Sequence, residues 1–174
     1  MDPKKLIFVD ESGVNTAMTR TRGRAPPGER VHGSVPRGHW KTLTMIGALR
    51  LSGVAAAVTV DASTDTDVFD AFVRDALVPA LRPGDVVLWD GLTPHKVPRM
   101  RELVESARAT LMPLPPYSPD LSPIEPCWSK VKEYVRGEKP RTPDALGRAT
   151  AEGFAKVTAA DAQGWFENCG YCVH

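Results

Sequence analysis

Residues 42–60, TLTMIGALRLSGVAAAVTV, decide the fold. Two apolar stretches are parted by Leu51-Ser52-Gly53, a turn-like break, and this pattern predicts an antiparallel hairpin. Upstream, LIFVD (6–10) is a continuous apolar run bounded by Lys5 and by Glu11-Ser12-Gly13, which reads as a buried strand entering a loop. Joined to the hairpin it makes a three-stranded meander. Downstream the period changes to three and four, with Val68, Phe69, Phe72, Val73, Ala76 and Leu77 on one stripe. That spacing predicts a helix from about Thr66 to Leu81, stopped by Arg82-Pro83-Gly84.

The rest of the chain alternates strand and helix. DVVLWD (85–90) is a short apolar strand, His95 to about Glu105 forms the next helix, and ATLMPLP (109–115) supplies a fifth strand. Ile124, Cys127, Trp128, Val131 and Val135 recur at threes and fours, so a helix is expected from Pro123 through Val135. Thr142-Pro143 opens another helix through about Phe154, and Ala159 to Asn168 is the last. This order describes an α/β domain of ribonuclease-H-like type: a mixed sheet flanked by helices, its first three strands an antiparallel meander.

Composition sets the outer limits. A chain of 174 residues holds one well-buried core, so residues 1–174 are expected to form a single domain. With 22 Lys and Arg against 21 Asp and Glu, overall charge gives no general case for nucleic-acid binding, and any such case rests on local basic patches. The first apolar run is too short for a signal peptide or a membrane span, which makes the cytoplasm the expected location. Cys127, Cys169 and Cys172 are an odd set that argues against a disulfide framework. Cys169, Cys172 and His174 form only half of a usual zinc set and read as an incidental group near the chain end.

Three acids carry the chemistry. Asp10 ends LIFVD, Asp90 ends DVVLWD, and Glu125 opens the helix in SPDLSPIEPCWSKVK. Two carboxylates at strand ends and a third at a helix start are a donor set able to hold two divalent ions over a phosphodiester. Each acid also has a plainer reading. Asp10 is a solvated strand terminus, Asp90 an Asx-turn residue before Gly91, and Glu125 the third residue after a Ser122 N-cap with Pro123 at the first helical position, a capping box. Glu11 points away from Asp10 if the strand persists, Tyr117 closes over the site or fixes the loop before Glu125, and Trp128 is a core residue.

Basic residues supply candidate phosphate contacts. Arg20, Arg22, Arg24, Arg30, Arg37, His39 and Lys41 lie in a Gly- and Pro-rich stretch between the first two strands, His95 and Lys96 follow Asp90, and Lys130 follows Glu125. A solvated loop face is the competing reading for the cluster.

The segments FVDESG, RGHWKTLTMIGAL, VVLWDGLTPHK and LPPYSPDLSPIEPCWSKVK together resemble the DDE catalytic domain of the insertion-sequence branch of mariner-type transposases. The 34 residues between Asp90 and Glu125 are similar to that family's last interval. The resemblance implies that Asp10, Asp90 and Glu125 are catalytic and bind two Mg²⁺ ions, with Mn²⁺ as a substitute. It implies strand cleavage at the ends of a mobile element, then attack of the freed 3′-hydroxyl on target DNA, with no covalent protein intermediate. Double-stranded DNA at element ends, a TA-containing target, a homodimer on DNA and a nucleoid location follow from the same resemblance, with no membrane partner. Family members also carry an amino-terminal helix-turn-helix region. Only nine residues precede Asp10, so that region is expected to be absent from this chain, which fits a separately encoded DNA-binding part, a degraded element or an excised catalytic domain.

Two rival functions differ in what they require. A catalytically incomplete transposase fragment would act as an assembly or regulatory partner, although all three acids are present. A haloacid-dehalogenase-like phosphatase needs a second Asp two residues after the first, where this chain has Ser12.

Overall fold

The structure, a computed structural model, describes residues 2–61, 66–89, 97–115 and 118–173. Five strands form one sheet in the order β3-β2-β1-β4-β5. The strands β1 (Leu6–Asn15), β2 (Thr42–Arg50) and β3 (Gly53–Val60) pair antiparallel, whereas β4 (Val86–Trp89) and β5 (Thr110–Pro113) add in parallel beside β1. Helices cover both faces, and the arrangement is ribonuclease-H-like.

Side-chain alternation along β1 divides the core in two. Leu6 and Phe8 face α4 (Ile124–Glu138), α5 (Pro143–Ala155) and α6 (Ala159–Asn168), among Trp128, Val131, Leu146 and Phe166. Ile7 and Val9 face the opposite layer, among Phe69, Phe72, Val87, Trp89, Met100 and Leu111. That layer holds α1 (Thr66–Phe72), a wider π-helical stretch at Val73–Leu77, the short α2 (Val78–Ala80), and α3 (Val97–Ser106).

The helix expected over 66–81 is therefore present but not uniform. Pro79 has no N–H to donate to the carbonyl of Asp75 four residues back, and the backbone widens in the turn just before it. The stripe still works: Phe69, Phe72, Val73 and Leu77 are buried. Phe69 and Phe72 meet the Trp89 ring at centroid distances of 4.2 and 6.5 Å, which anchors the carboxyl end of β4.

A buried ion pair fixes the other end of β4. Arg50 Nη2, at the end of β2, donates to Asp85 Oδ2 at 3.0 Å and to the Ala80 carbonyl at 2.8 Å, and the same Asp85 oxygen accepts the Arg82 N–H at 2.7 Å. With 7% and 5% of their side chains exposed, this pair sets where β4 begins. Gly53 takes φ 117 at the turn from β2 into β3, a conformation that favours glycine, as the Leu51-Ser52-Gly53 break predicts.

Candidate functional site

Asp10 sits inside β1 rather than at its end. The sequence reading stopped the strand at Asp10, but β2 continues to pair β1 as far as Asn15↔Thr42, and this holds the polar ESG stretch extended. The parallel neighbour is described as far as Val9↔Trp89, so Asp10 lies one β1 residue past the described part of β4, with β2 paired on its other side. By the period of two, Asp10 shares the face of Leu6 and Phe8, toward α4.

The indole N–H of Trp128, a buried residue of α4, donates to Asp10 Oδ2 at 2.7 Å. Burial pushes the Asp10 carboxyl up to about 6, opposed by the Trp128 bond and the Glu11 backbone amide and reinforced by the charges of Glu125 and Glu11. Glu11 itself is exposed.

Glu125 is exposed in the first turn of α4, close enough for its charge to act on Asp10. The expected capping box does not form. Pro123 occupies the N-cap position with no side-chain capping bond, while Ser122 is buried and its N–H closes the preceding Pro119–Leu121 turn on the Pro119 carbonyl. Ser122 is thus the last residue of one turn and lies one position too early to cap the next helix. The capping explanation for Glu125 falls with it.

Lys132 completes the cluster. Its ammonium donates to Ser12 Oγ at 2.7 Å, and its pKa lies below the ordinary lysine value because of burial and the Arg136 charge, against the pull of Glu125 and Asp10. Sequence reasoning missed Ser12 and Lys132 and assigned Trp128 to the core alone. A signal existed: Glu125, Trp128 and Lys132 are spaced three and four apart, on one helical face.

The second acid, Asp90, lies outside the described residues, as do His95, Lys96, Tyr117 and His174. Among the described residues no group of three or more His, Cys, Asp and Glu side chains comes close enough to hold a metal ion.

The basic candidates fall in two places. Arg22, Arg24, Arg37, His39 and Lys41 are exposed on the segment between β1 and β2. Arg20, Arg22, Arg24, His32 and Lys139 line an open cavity of about 590 Å³. The base of this segment is closed by backbone pairing of Thr16 with Lys41 and by Arg141 Nη1, which donates to the Thr16 and Met18 carbonyls at 2.9 and 3.1 Å. Lys130 instead pairs with Asp161, tying α4 to α6, and this ammonium together with the Thr158 bonds holds the Asp161 carboxyl down at about 2.

Cys127, Cys169 and Cys172 are free thiols. Tyr171, between the last two, packs on Phe8 and Phe166 and donates its hydroxyl to the Leu121 carbonyl at 2.8 Å, so this segment docks on the core. No helix among the described residues is long and apolar enough to cross a membrane.

Comparison with known proteins agrees with this fold. The chain is similar in fold to the Mos1 transposase in its paired-end complex with the left transposon end, with a TM-score of 0.76 at 16% identity over 96% of this chain and 52% of that one. It is similar to the Mos1 mariner paired-end complex with Mn, with a TM-score of 0.68 at 16% identity over 97% of this chain and 54% of that one. It is likewise similar to the isolated catalytic domain of the Mos1 mariner transposase, with a TM-score of 0.59 at 14% identity over 96% and 76% of the two chains. The chain spans about half the length of the Mos1 chains in the paired-end complexes. No curated protein sequence matches it significantly. A sequence model described as DDE superfamily endonuclease matches residues 5–146, most of the chain and all of the sheet. The chain belongs to the DDE superfamily endonucleases.

Proposed function

We propose that residues 1–174 are the catalytic domain of a DNA transposase that cleaves and transfers strands at the ends of a mobile element, with Asp10, Asp90 and Glu125 as its catalytic acids. The observation that carries this reading is the setting of Asp10, whose carboxylate is held by the buried Trp128 N–H and feels the charge of Glu125. Repulsion between two carboxylates is an arrangement that a divalent cation relieves. Carboxylate oxygens are hard donors that suit Mg²⁺, with Mn²⁺ as its substitute. Two such ions, when bound, would supply the charge that makes water a nucleophile at neutral pH and stabilises a leaving oxygen.

The chain's own residues divide the remaining work. Asp10 and Glu125 supply oxygens from β1 and α4, and Asp90 follows Trp89, the residue in register with the one before Asp10. Lys132 carries a half-buried positive charge beside both acids and binds a phosphate oxygen of the scissile strand. Arg22, Arg24, Arg37, His39, Lys41, His95 and Lys96 hold the duplex by its phosphates without reading bases, and Lys130 joins them only by leaving Asp161. Partners on this reading are double-stranded element ends, a TA-containing target and a second copy of the chain on DNA, in the cytoplasm at the nucleoid. Recognition of the ends requires helix-turn-helix modules outside the catalytic unit.

The test is Mg²⁺- or Mn²⁺-dependent nicking and strand transfer on DNA bearing the element ends, with Asp90→Asn alongside. Activity lost in the variant supports the reading, and normal activity in the variant sinks the metal role of Asp90. No activity in either would favour a fragment that assembles with a complete transposase.

A further inference from the structure

Trp128 is a donor-only side chain, and a buried indole N–H needs a partner. In this fold the partner is a carboxylate of the proposed metal site, Asp10 Oδ2 at 2.7 Å. Three features hold the ring in that place. Its own burial in α4 leaves 2% of the residue exposed, and the Phe154 ring meets it edge-on at 5.9 Å. The third is Gly47. A Cβ built there would stand 2.8 Å from Cη2 of Trp128, closer than real contacts allow, and Gly47 is the β2 residue directly opposite Asp10. The strand that carries the acid and the strand that admits the ring are thus matched at a single pair.

We infer that Trp128 is a positioning residue for Asp10: its N–H fixes the rotation of the carboxylate so that the acid is presented ready-oriented to a divalent cation, and Gly47 makes room for the ring that does so. This rests on the reading of Asp10 as a metal ligand. Partners that orient a metal ligand are second only to the ligand itself in setting affinity, because an unheld carboxylate must lose its rotational freedom when the ion binds. The lone N–H also directs the acid without competing for the ion, since an indole offers no lone pair to a metal.

The test is direct Mn²⁺ binding by the full chain, read from the electron paramagnetic resonance signal of the unbound ion at about pH 8, where an Asp carboxyl is ionised. Trp128→Phe keeps a ring and removes the donor, while Gly47→Ala keeps the donor and displaces the ring. Both are expected to weaken Mn²⁺ binding about tenfold with an unchanged circular dichroism spectrum. Asp10→Asn separates the two ideas. Binding lost in Asp10→Asn but unchanged in Trp128→Phe overturns the positioning role and leaves the metal reading standing. Unchanged binding in Asp10→Asn overturns both. If neither Trp128→Phe nor Gly47→Ala folds, the native chain decides: the indole Nε1–H resonance of Trp128 is expected to shift on titration with Mg²⁺, and a resonance that stays in place while other site signals move overturns the inference.

Discussion

Glu125, in the first turn of α4, raises the proton affinity of Asp10, near the middle of β1. Burial is the larger cause of the elevated Asp10 pKa, and Glu125 adds to it across the space between strand and helix. Glu125→Gln removes the charge from an exposed position, so the fold is retained while the Asp10 midpoint drops below about 6. A carbon-13 NMR titration of the Asp10 carboxyl reads this directly, and an unmoved midpoint would mean that the two acids do not share a site.

Stability should depend on pH through the same residue. The folded chain binds the Asp10 proton more tightly than the unfolded chain, whose carboxyl titrates near the ordinary 3.8. Stability therefore falls as pH rises from that value to about 6 and stays lower above it. Asp10→Asn removes this dependence and still offers a carbonyl to the Trp128 N–H. In metal-free buffer at neutral pH it should melt several degrees above the native chain, at roughly 2–4 °C per kcal/mol, with the difference vanishing in acid. Melting curves across that range check it.

Asp85→Ala removes one member of the buried Arg50–Asp85 pair and strands a guanidinium whose Nε already lacks a partner. A buried charge left uncompensated costs about 3–5 kcal/mol, far more than the pair itself contributes. Urea denaturation should show that loss. A change below about 1 kcal/mol, the range of exposed pairs, would contradict the burial of the site.

Lys132→Met keeps a long aliphatic side chain at this α4 position and removes the charge. If Lys132 holds a phosphate, duplex binding weakens and the slope of log affinity against log salt falls by about 1. Fluorescence anisotropy over a salt series measures both, and an unaltered slope assigns Lys132 to the Ser12 contact alone.

The architecture was legible because its elements announce themselves by period. The hairpin at 42–60, the stripe from Val68 to Leu77 and the Thr142-Pro143 helix start are local signals, and Thr142 does cap α5, whereas the Thr158 capping box of α6 went unread. What stayed hidden depended on partners distant in sequence. Glu11, Ser12 and Gly13 look like a loop until β2 is placed beside them. Ser122, Pro123 and Glu125 look like a capping box until the preceding turn claims Ser122. Trp128 fits a core stripe, and only the fold reveals that its one polar atom reaches a residue 118 positions away. The clustering of Asp10 with Glu125 is of the same long-range kind.

The pairing of Asp10 with Gly47 also says where the chain tolerates drift. Because strand side chains alternate, inserting one residue between Leu6 and Val9 would rotate Asp10 to the face of Ile7 and Val9, among Phe69 and Trp89, where a carboxylate has no donor waiting. The exposed segment from Thr19 to Lys41 has no such constraint: its ends are closed by Thr16, Lys41 and Arg141, and its length and sequence can change without turning the acid. Evolution can therefore refit the surface proposed to face DNA while the register of the proposed catalytic acid stays locked.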